Sequence, residues 1–454
     1  MSFPSLKLRA ALLGYSALWW LGLPAALLYL RKRAARDPDY GTHLRERFGT
    51  HAPWPKGPRT IWVHAVSLGE MRSAVPLIRA ILARGERVVT THFTPAGRRE
   101  AEKVFAPEIA AGTIRAAWVP FELGFIFRRF FKTFRPALGL VMEVEIWPRM
   151  IMEARKSGIP LFMCNAQYPS KSYARDGGGL RGEIMQGFAG AMVKSELQRE
   201  RFASVGVNPI EITGELRFEQ PIPAHHVAQG IKARAAFAPN RPTLTLTSVV
   251  EGEDRTYITA IKHAISTGSN PLFIYVPRAP ERFDEVFQML RTAGLRTAKR
   301  SDMFDTDLTL TAQPEIDVLL GNSMGEMYFY LAMADAALVG GGFIPKGAHN
   351  VIEPLALKKP VIVGPEIFTI EYPAVEAIAA GVVTHATTPT ALEAAIATLM
   401  QNIKNGQHGS DSIEELQITD FFNAHAGAVS KTLQAMDRLA PPKPKSASCE
   451  TFTH

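Results

Sequence analysis

Cysteine is scarce: Cys164 and Cys449 are the two in a chain of 454 residues. A pair so far apart excludes a disulfide framework and a cysteine-based zinc site, and it fits a reducing compartment. Walker A is missing, so the usual phosphate cradle of an ATPase is absent. No Gly-x-Gly-x-x-Gly follows the first predicted strand, which speaks against a dinucleotide site, and there is no His-Glu-x-x-His. Beyond the N-terminus the apolar runs are short and strand-like, so the chain is not a polytopic membrane protein. Its 46% hydrophobic content excludes disorder and collagen-like repeats as the main class. The charge excess is modest, 51 Lys+Arg against 43 Asp+Glu. It suits a phosphorylated ligand or anionic lipid, and is a poor basis for nucleic-acid binding.

One long apolar run is present. Ala10 to Leu30 carries no charged residue and is followed by Arg31, Lys32, Arg33 and Arg36. A helix of that length reaches about 30 Å, the thickness of a hydrocarbon layer. Pro24 would kink it, and Trp19 and Trp20 suit an interface. The heavier positive flank lies on the C-terminal side, which predicts that the bulk of the chain stays cytoplasmic. No small-residue cleavage site precedes the arginine cluster, so an uncleaved anchor is expected, spanning the membrane or lying in its interface.

The rest alternates strand and helix patterns. Strands are predicted at Thr60–Val66, Arg87–His92, Leu138–Met142 and Ile159–Cys164, with helices between them. After Phe218 the pattern weakens through Glu219-Gln-Pro-Ile-Pro-Ala, which reads as a linker. A second series follows, with strands at Thr243–Ser248, Pro271–Val276, Ile316–Leu320, Ala336–Val339 and Val361–Val363. The fold class is therefore α/β, with two Rossmann-like halves facing a central cleft and an N-terminal anchor helix. The expected division is an anchor with basic flank at 1–36, an N-terminal domain at 37–218, a linker at 219–240, a C-terminal domain at 241–437 and a disordered tail at 438–454.

Ligands of such sheets bind at the carboxyl ends of the strands, so the chemistry is sought in those loops. Ser67-Leu-Gly-Glu70 and Ser323-Met-Gly-Glu326 repeat one tetrapeptide pattern, each between a strand and a helix. Glu70 can serve as a general base on a hydroxyl, or cap its helix. The helix N-terminus is expected to keep it ionised and weaken it as a base. Met142-Glu143-Val-Glu145-Ile-Trp147-Pro148 places two more carboxylates at a strand end, one to orient a substrate and the other structural.

Val339-Gly-Gly-Gly342 runs into Asn350-Val351-Ile352-Glu353. The glycines would let a ligand approach the backbone, the helix start would meet a phosphate, and Glu353 would accept ribose hydroxyls. The competing reading is a tight turn whose glutamate complements the helix dipole. Arg278, after Pro277, can reach a phosphate, and Met324-Gly325-Glu326 offers backbone N–H groups. Asp37/Asp39 and Asp305/Asp307 are read as solvated loop carboxylates rather than metal ligands. Phe125 to Arg135 interleaves aromatics with Arg128, Arg129, Lys132 and Arg135, either as a lipid-facing surface or as a buried aromatic face carrying Phe125, Phe127 and Phe131.

Taken together, these stretches resemble the Kdo transferases, the 3-deoxy-D-manno-oct-2-ulosonic acid transferases of lipopolysaccharide assembly. The similarity is carried by Arg47-Phe-Gly, His64-Ala-Val-Ser-Leu-Gly-Glu70, Thr91-His-Phe-Thr-Pro-Ala-Gly97, Met142 to Pro148, Pro277-Arg-Ala-Pro-Glu-Arg282, Leu320 to Glu326 and Val339 to Pro354. The resemblance implies a metal-free, cofactor-free inverting GT-B glycosyltransferase. It would move Kdo from CMP-Kdo to the lipid A precursor, lipid IVA, at the cytoplasmic face of the inner membrane, among inner-membrane lipids and with no nucleic-acid partner. It implies Glu70 as the base, with Arg217 and Glu143 or Glu145 near the departing phosphate. Pro277, Arg278, Met324, Gly325, Glu326, Asn350, Val351, Ile352 and Glu353 would hold CMP. The chain departs from the family pattern at Arg217 (usually Lys), Gln167, Val249, Val250, Ala279 and Gly342-Phe343, positions that bear on acceptor and sugar choice. A sugar-nucleotide epimerase on the same fold and a non-catalytic nucleotide-binding scaffold at the membrane are the alternatives.

Overall fold

The computed structural model describes residues 3–176, 179–405 and 412–440. The expected disordered tail at 438–454 lies, from residue 441 onward, outside the described residues. The chain divides into two compact units. The first comprises residues 1–220 and 427–454, and the second residues 221–426.

The first unit is built on seven parallel strands: β1 Thr60–His64, β2 Arg87–His92, β3 Ile114–Trp118, β4 Leu138–Met142, β5 Leu161–Ala166, β6 Gly190–Val193 and β7 Ile210–Ile212. Their order is β3-β2-β1-β4-β5-β6-β7. The chain therefore leaves β1 in one direction and returns to its other side with β4, which pairs from Ile61↔Leu138 to His64↔Val141. That reversal opens a crevice beyond the carboxyl ends of β1 and β4, where such sheets take ligands. β1, β4 and β5 are buried throughout, as strands covered on both faces must be.

Helix α1, Leu6–Ala34, precedes the sheet. Helix α2, Leu68–Ala83, follows β1. Ser67 caps it, and Pro76 lies inside it. Helix α3, Gly124–Phe134, buries Phe127, Phe130, Phe131 and Phe134 on one face. Arg128, Arg129 and Lys132 stay exposed. Phe125, expected on the buried face, is half-exposed and stacks on Trp20 instead. Helix α4, Pro148–Lys156, follows β4.

The second unit has the same plan in β8 Thr243–Val249, β9 Leu272–Pro277, β10 Thr297–Lys299, β11 Val318–Leu320, β12 Ala336–Val339, β13 Val361–Val363 and β14 Val383–His385. Its order is β10-β11-β9-β8-β12-β13-β14, with the reversal between β8 and β12.

The segment read as a linker at 219–240 contains helix α5, Ala224–Phe237, which belongs to the second unit. Its buried Ala233 packs in the same cluster as Phe329 and Met333. The weak apolar periodicity of this helix hid it among the surrounding prolines. Helix α8 (Ala428–Leu439, after α6 Met327–Met333 and α7 Ile352–Ala356) begins inside the span expected for the second domain and runs past 437 into the first residues of the expected disordered tail. It returns to the first unit, burying Ala428, Ala435 and Met436 with Met71 and Val75 of α2. Glu219 also accepts from the Val429 N–H at 2.8 Å.

Candidate active site

In the first unit the four residues expected to carry catalysis come together at the β1/β4 reversal. Glu70 sits in the first turn of α2, 8% exposed. One carboxylate oxygen accepts from the Val66 N–H at 2.7 Å and the other from the Ser67 hydroxyl at 2.9 Å. Glu143 follows β4 with φ +57°, a left-handed conformation that a β-carbon disfavours and that ordered functional loops tend to retain. Its carboxylate accepts from the Arg217 guanidinium at 3.0 Å. Arg217 also donates to the Ser73 hydroxyl at 2.8 Å, one turn along α2 from Glu70. Glu145 accepts from the Trp147 indole at 2.8 Å.

The charge state expected of Glu70 is reversed. A helix N-terminus favours a carboxylate, yet burial raises Glu70 first, and the nearby charges of Glu143 and Glu145 add to it. The Val66 and Ser67 hydrogen bonds oppose this and lose, leaving the group at about 8. The physical reason is that removal from water acts on the whole charge, whereas a helix end offers only partial charges. Glu145 is likewise raised, by burial and then by Glu143, with the Trp147 bond working against both.

Behind this cluster lies support that the sequence did not announce. Lys194 and Glu215, both buried, pair at 2.6 Å. Glu215 also accepts from the Asn165 amide at 2.8 Å and from the Arg217 N–H at 3.1 Å. The Asn165 oxygen accepts from the Leu216 N–H at 3.0 Å. Burial works against the Glu215 charge, but Lys194 and Arg217 hold it below the usual carboxylate range. The short turn that carries Arg217 is thus fixed from beneath. His64, at the end of β1, is fully buried and bonded to the Thr91 hydroxyl at 2.8 Å. Burial holds it neutral, near 3.

In the second unit the candidate nucleotide residues come together only in part. Arg278 follows β9 and approaches His349 Nδ1 at 3.2 Å, joining that strand end to the glycine-rich loop. Burial, and then Arg278, push His349 down to about 4, so its nitrogen can accept. Burial, and then the nearby Glu353 of α7, raise the Tyr328 phenol of α6, and the two helices pack together. Asn350 accepts from the Ile352 N–H at 2.9 Å, a local turn that leads into α7, which begins at Ile352. Val351 and Ile352 are buried. Pro277 is buried as the last residue of β9. Met324 is 63% exposed, and Gly325 takes φ +84° with open space where a β-carbon would stand.

Two features here are engaged within the unit itself. The first is the Glu326 side chain. Its carboxylate is held by Arg300 at 2.9 and 3.0 Å and by the hydroxyls of Ser323 and Tyr330. The triple glycine, in turn, serves loop packing before ligand approach. A β-carbon on Gly341 would stand 2.3 Å from the Gly347 carbonyl, and one on Gly340 would stand 2.7 Å from that of Ser248. The loop N–H groups are also occupied. Buried Glu253 accepts from Gly341 at 2.7 Å, Phe343 at 2.9 Å, Val250 at 3.1 Å and the Tyr257 hydroxyl at 2.7 Å. The sequence signal for Glu253 was its place three residues after Val250 at the end of β8, across the reversal from β12.

Both acidic pairs set aside as metal ligands have other roles. Asp37 and Asp39 pair with Arg99. Asp305 accepts from the N–H groups of Asp307 and Thr309 and closes a turn.

Comparison with known proteins follows the same lines. Residues 42–220 match the family model described as 3-deoxy-D-manno-octulosonic-acid transferase (kdotransferase). The 3-deoxy-D-manno-octulosonic acid transferase of Bordetella pertussis is 38% identical over 398 residues, 86% of this chain and 90% of that protein. Among solved structures, a glycosyltransferase from Rickettsia africae ESF-5 aligns with a TM-score of 0.58 at 11% identity, over 85% of this chain and 99% of that one. UDP-GlcNAc 2-epimerase from Neisseria meningitidis aligns at 0.53 and 11%, over 84% and 99%. The fold is therefore shared by a transferase and an epimerase and does not by itself choose between them, whereas the sequence relative does. With two parallel seven-stranded sheets of GT-B type and a 38% identical relative spanning most of its length, the chain belongs to the Kdo transferase family of glycosyltransferases.

Proposed function

We propose that the chain transfers Kdo from CMP-Kdo to a hydroxyl of lipid IVA with inversion, with Glu70 as the general base. The observation that carries this reading is the state of Glu70. A base is most effective when its pKa lies near the working pH, and burial beside Glu143 and Glu145 raises this carboxylate to about 8. Two donors fix its orientation at the β1/β4 reversal, where an acceptor hydroxyl would meet it. Arg217 balances Glu143 and is the cation proposed for the departing phosphate. In the second unit, Arg278 and the starts of α6 and α7, with Glu353, form the proposed CMP site. No metal or organic cofactor enters the proposal. The apolar α1 and its basic flank support a reaction at the cytoplasmic face of the inner membrane.

The test is mass spectrometry of lipid IVA incubated with CMP-Kdo and the full chain, beside Glu70→Ala. The wild type should add one or more Kdo masses. The variant should lose roughly 10²–10⁴-fold in rate while still binding CMP. No Kdo addition by the wild type, under conditions where a control transferase works, would defeat the proposed donor and acceptor. Undiminished transfer by the variant would defeat the role of Glu70.

A further inference from the structure

Helix α1 is apolar on all sides, long enough to cross a bilayer, and only 6% buried over its most apolar window. Its contacts nevertheless follow a helical stripe. Between Leu8 and Leu30 the fully or partly buried positions are Leu8, Ala11, Leu12, Tyr15, Ser16, Trp19, Gly22, Leu23, Ala26, Leu27 and Leu30, each three or four residues from the next or directly beside it. Each end of this stripe is fastened to the first unit. Ser5 donates from its N–H and hydroxyl to Glu183 at 2.7 and 2.8 Å. Arg149 of α4 donates to the Leu12 carbonyl at 2.7 Å and to the Ser16 hydroxyl at 2.5 Å. Trp19 meets Phe121, and Leu23 and Leu27 pack with Leu30, Leu123 and Ile126. Arg33 closes the far end on the Tyr40 hydroxyl at 2.6 Å.

From Leu8 to Leu30 the docked stripe runs about 33 Å, the full thickness of a hydrocarbon core. A helix crossing the bilayer with these contacts would carry Glu183, Arg149 and the neighbouring Arg155 and Lys156 to membrane depth, where charge is expensive. The opposite face is unpartnered and apolar: Leu6, Leu13, Leu18, Leu21 and Leu28 are 66–83% exposed. Cations border it. Lys7, Arg9, Arg31 and Lys32 flank its ends, and exposed Arg128, Arg129 and Lys132 lie on α3, whose Phe125 stacks on Trp20. A cavity of about 440 Å³ beside α4 repeats this chemistry, with an apolar floor of Leu12, Leu13 and Met152 under Arg9, Arg155 and Lys156.

We propose that α1 does not span the membrane but lies in its plane, docked on the first unit, with its outer face immersed in one leaflet that carries anionic headgroups. An apolar face bordered by cations is the pattern of an interfacial helix. The inference rests on the membrane residence proposed above and not on the reaction.

The experiment uses the full chain with a protease-sensitive tag fused ahead of residue 1, in sealed inverted vesicles and in right-side-out spheroplasts. Tag and first unit should be cut from the same side. A tag cut only from the opposite side would overturn the in-plane arrangement, whereas absence of the chain from the membrane fraction would overturn the localisation beneath it. Leu13→Glu/Leu21→Glu, on the exposed face and expected to fold with an unchanged thermal midpoint, should lose at least 10-fold in co-flotation with vesicles of phosphatidylethanolamine and phosphatidylglycerol. Unchanged flotation would overturn the lipid contact. So would efficient cross-linking of two copies through Leu21→Cys in a Cys449→Ser background, which would make a second chain the occupant.

Discussion

The two units carry the same tetrapeptide pattern at different strand ends, after β1 in one and after β11 in the other, and make opposite use of it. Ser67-Leu-Gly-Glu70 and Ser323-Met-Gly-Glu326 each lie between a strand and a helix, and in each the serine hydroxyl bonds the glutamate. Glu326 then meets Arg300 in a two-point pair and also takes the Tyr330 hydroxyl. Around Glu70 the neighbouring charges that act on it are those of Glu143 and Glu145. The cation of that cluster, Arg217, goes to Glu143. A motif of this kind fixes where a carboxylate stands. Residues far away in the chain decide whether it is a neutralised structural acid or a crowded, proton-hungry base.

The largest effect is expected where the neutralised copy is broken. Arg300→Met removes a partner whose side chain is 10% exposed and leaves Glu326, 17% exposed, with hydroxyl donors alone. The loss should be on the order of 3 kcal/mol. For a unit of this size that corresponds to a melting point lower by about 6–12 °C. Arg300→Met/Glu326→Leu should regain most of it in a thermal scan, because no uncompensated carboxylate remains. A single variant as stable as the wild type would mean that the Ser323 and Tyr330 hydroxyls suffice, and that the contrast between the units does not rest on Arg300.

How far the sequence carried this contrast can be traced residue by residue. The strand ends that bear Glu70, Glu143, Arg278 and the triple glycine were legible, because long β-branched and apolar runs mark central strands. β3, β6, β7, β10 and β14 were not marked. All but β6 are sheet edges, and IEI, TAK and VTH are too short and polar to show a period. Helix α5 was lost in the same way. The glycines were legible as necessary but not as to purpose, since what Gly341 approaches is the carbonyl of Gly347 and not a ligand. Long-range electrostatics was the least legible. Lys194–Glu215, Arg300–Glu326 and the Glu253 clasp each join residues that local pattern leaves unconnected. The charge of Glu70 was misjudged because its helix end is visible in sequence and its burial is not.

A smaller effect should appear in stability. A carboxylate raised from about 4.5 to about 8 on folding binds more protons in the folded state between those values, so it lowers stability as pH rises through that window. Glu70→Gln removes the titration while keeping an oxygen for the Val66 N–H and a donor for Ser67. The variant should match the wild type at pH 4.5 and below, and melt higher at pH 8.5. Stability gained with activity lost is the trade expected if Glu70 is the base proposed above. Glu326→Gln should show no such gain, since its carboxylate has a cation to lose. If both variants gain equally, the two tetrapeptides are not electrostatically distinct.

The smallest effect concerns where the Glu70 charge is felt. Once Glu70 is assigned as base, the kcat/KM of Kdo transfer should rise with pH through about 8, as the carboxylate ionises. Glu143→Gln removes the neighbouring carboxylate charge that acts more strongly on Glu70, and that favours ionised Glu70. The rising limb should therefore move to lower pH, by about one unit or less, which is up to about 1.4 kcal/mol of differential interaction. Glu145→Gln should move it in the same direction by less, in the order in which the two charges act. The maximal rate at high pH need not rise, since a less basic carboxylate is also a weaker proton acceptor. A limb that stays in place in both variants would assign the elevation of Glu70 to burial alone. The two units would then differ in how dry their glutamates are, rather than in which charges surround them.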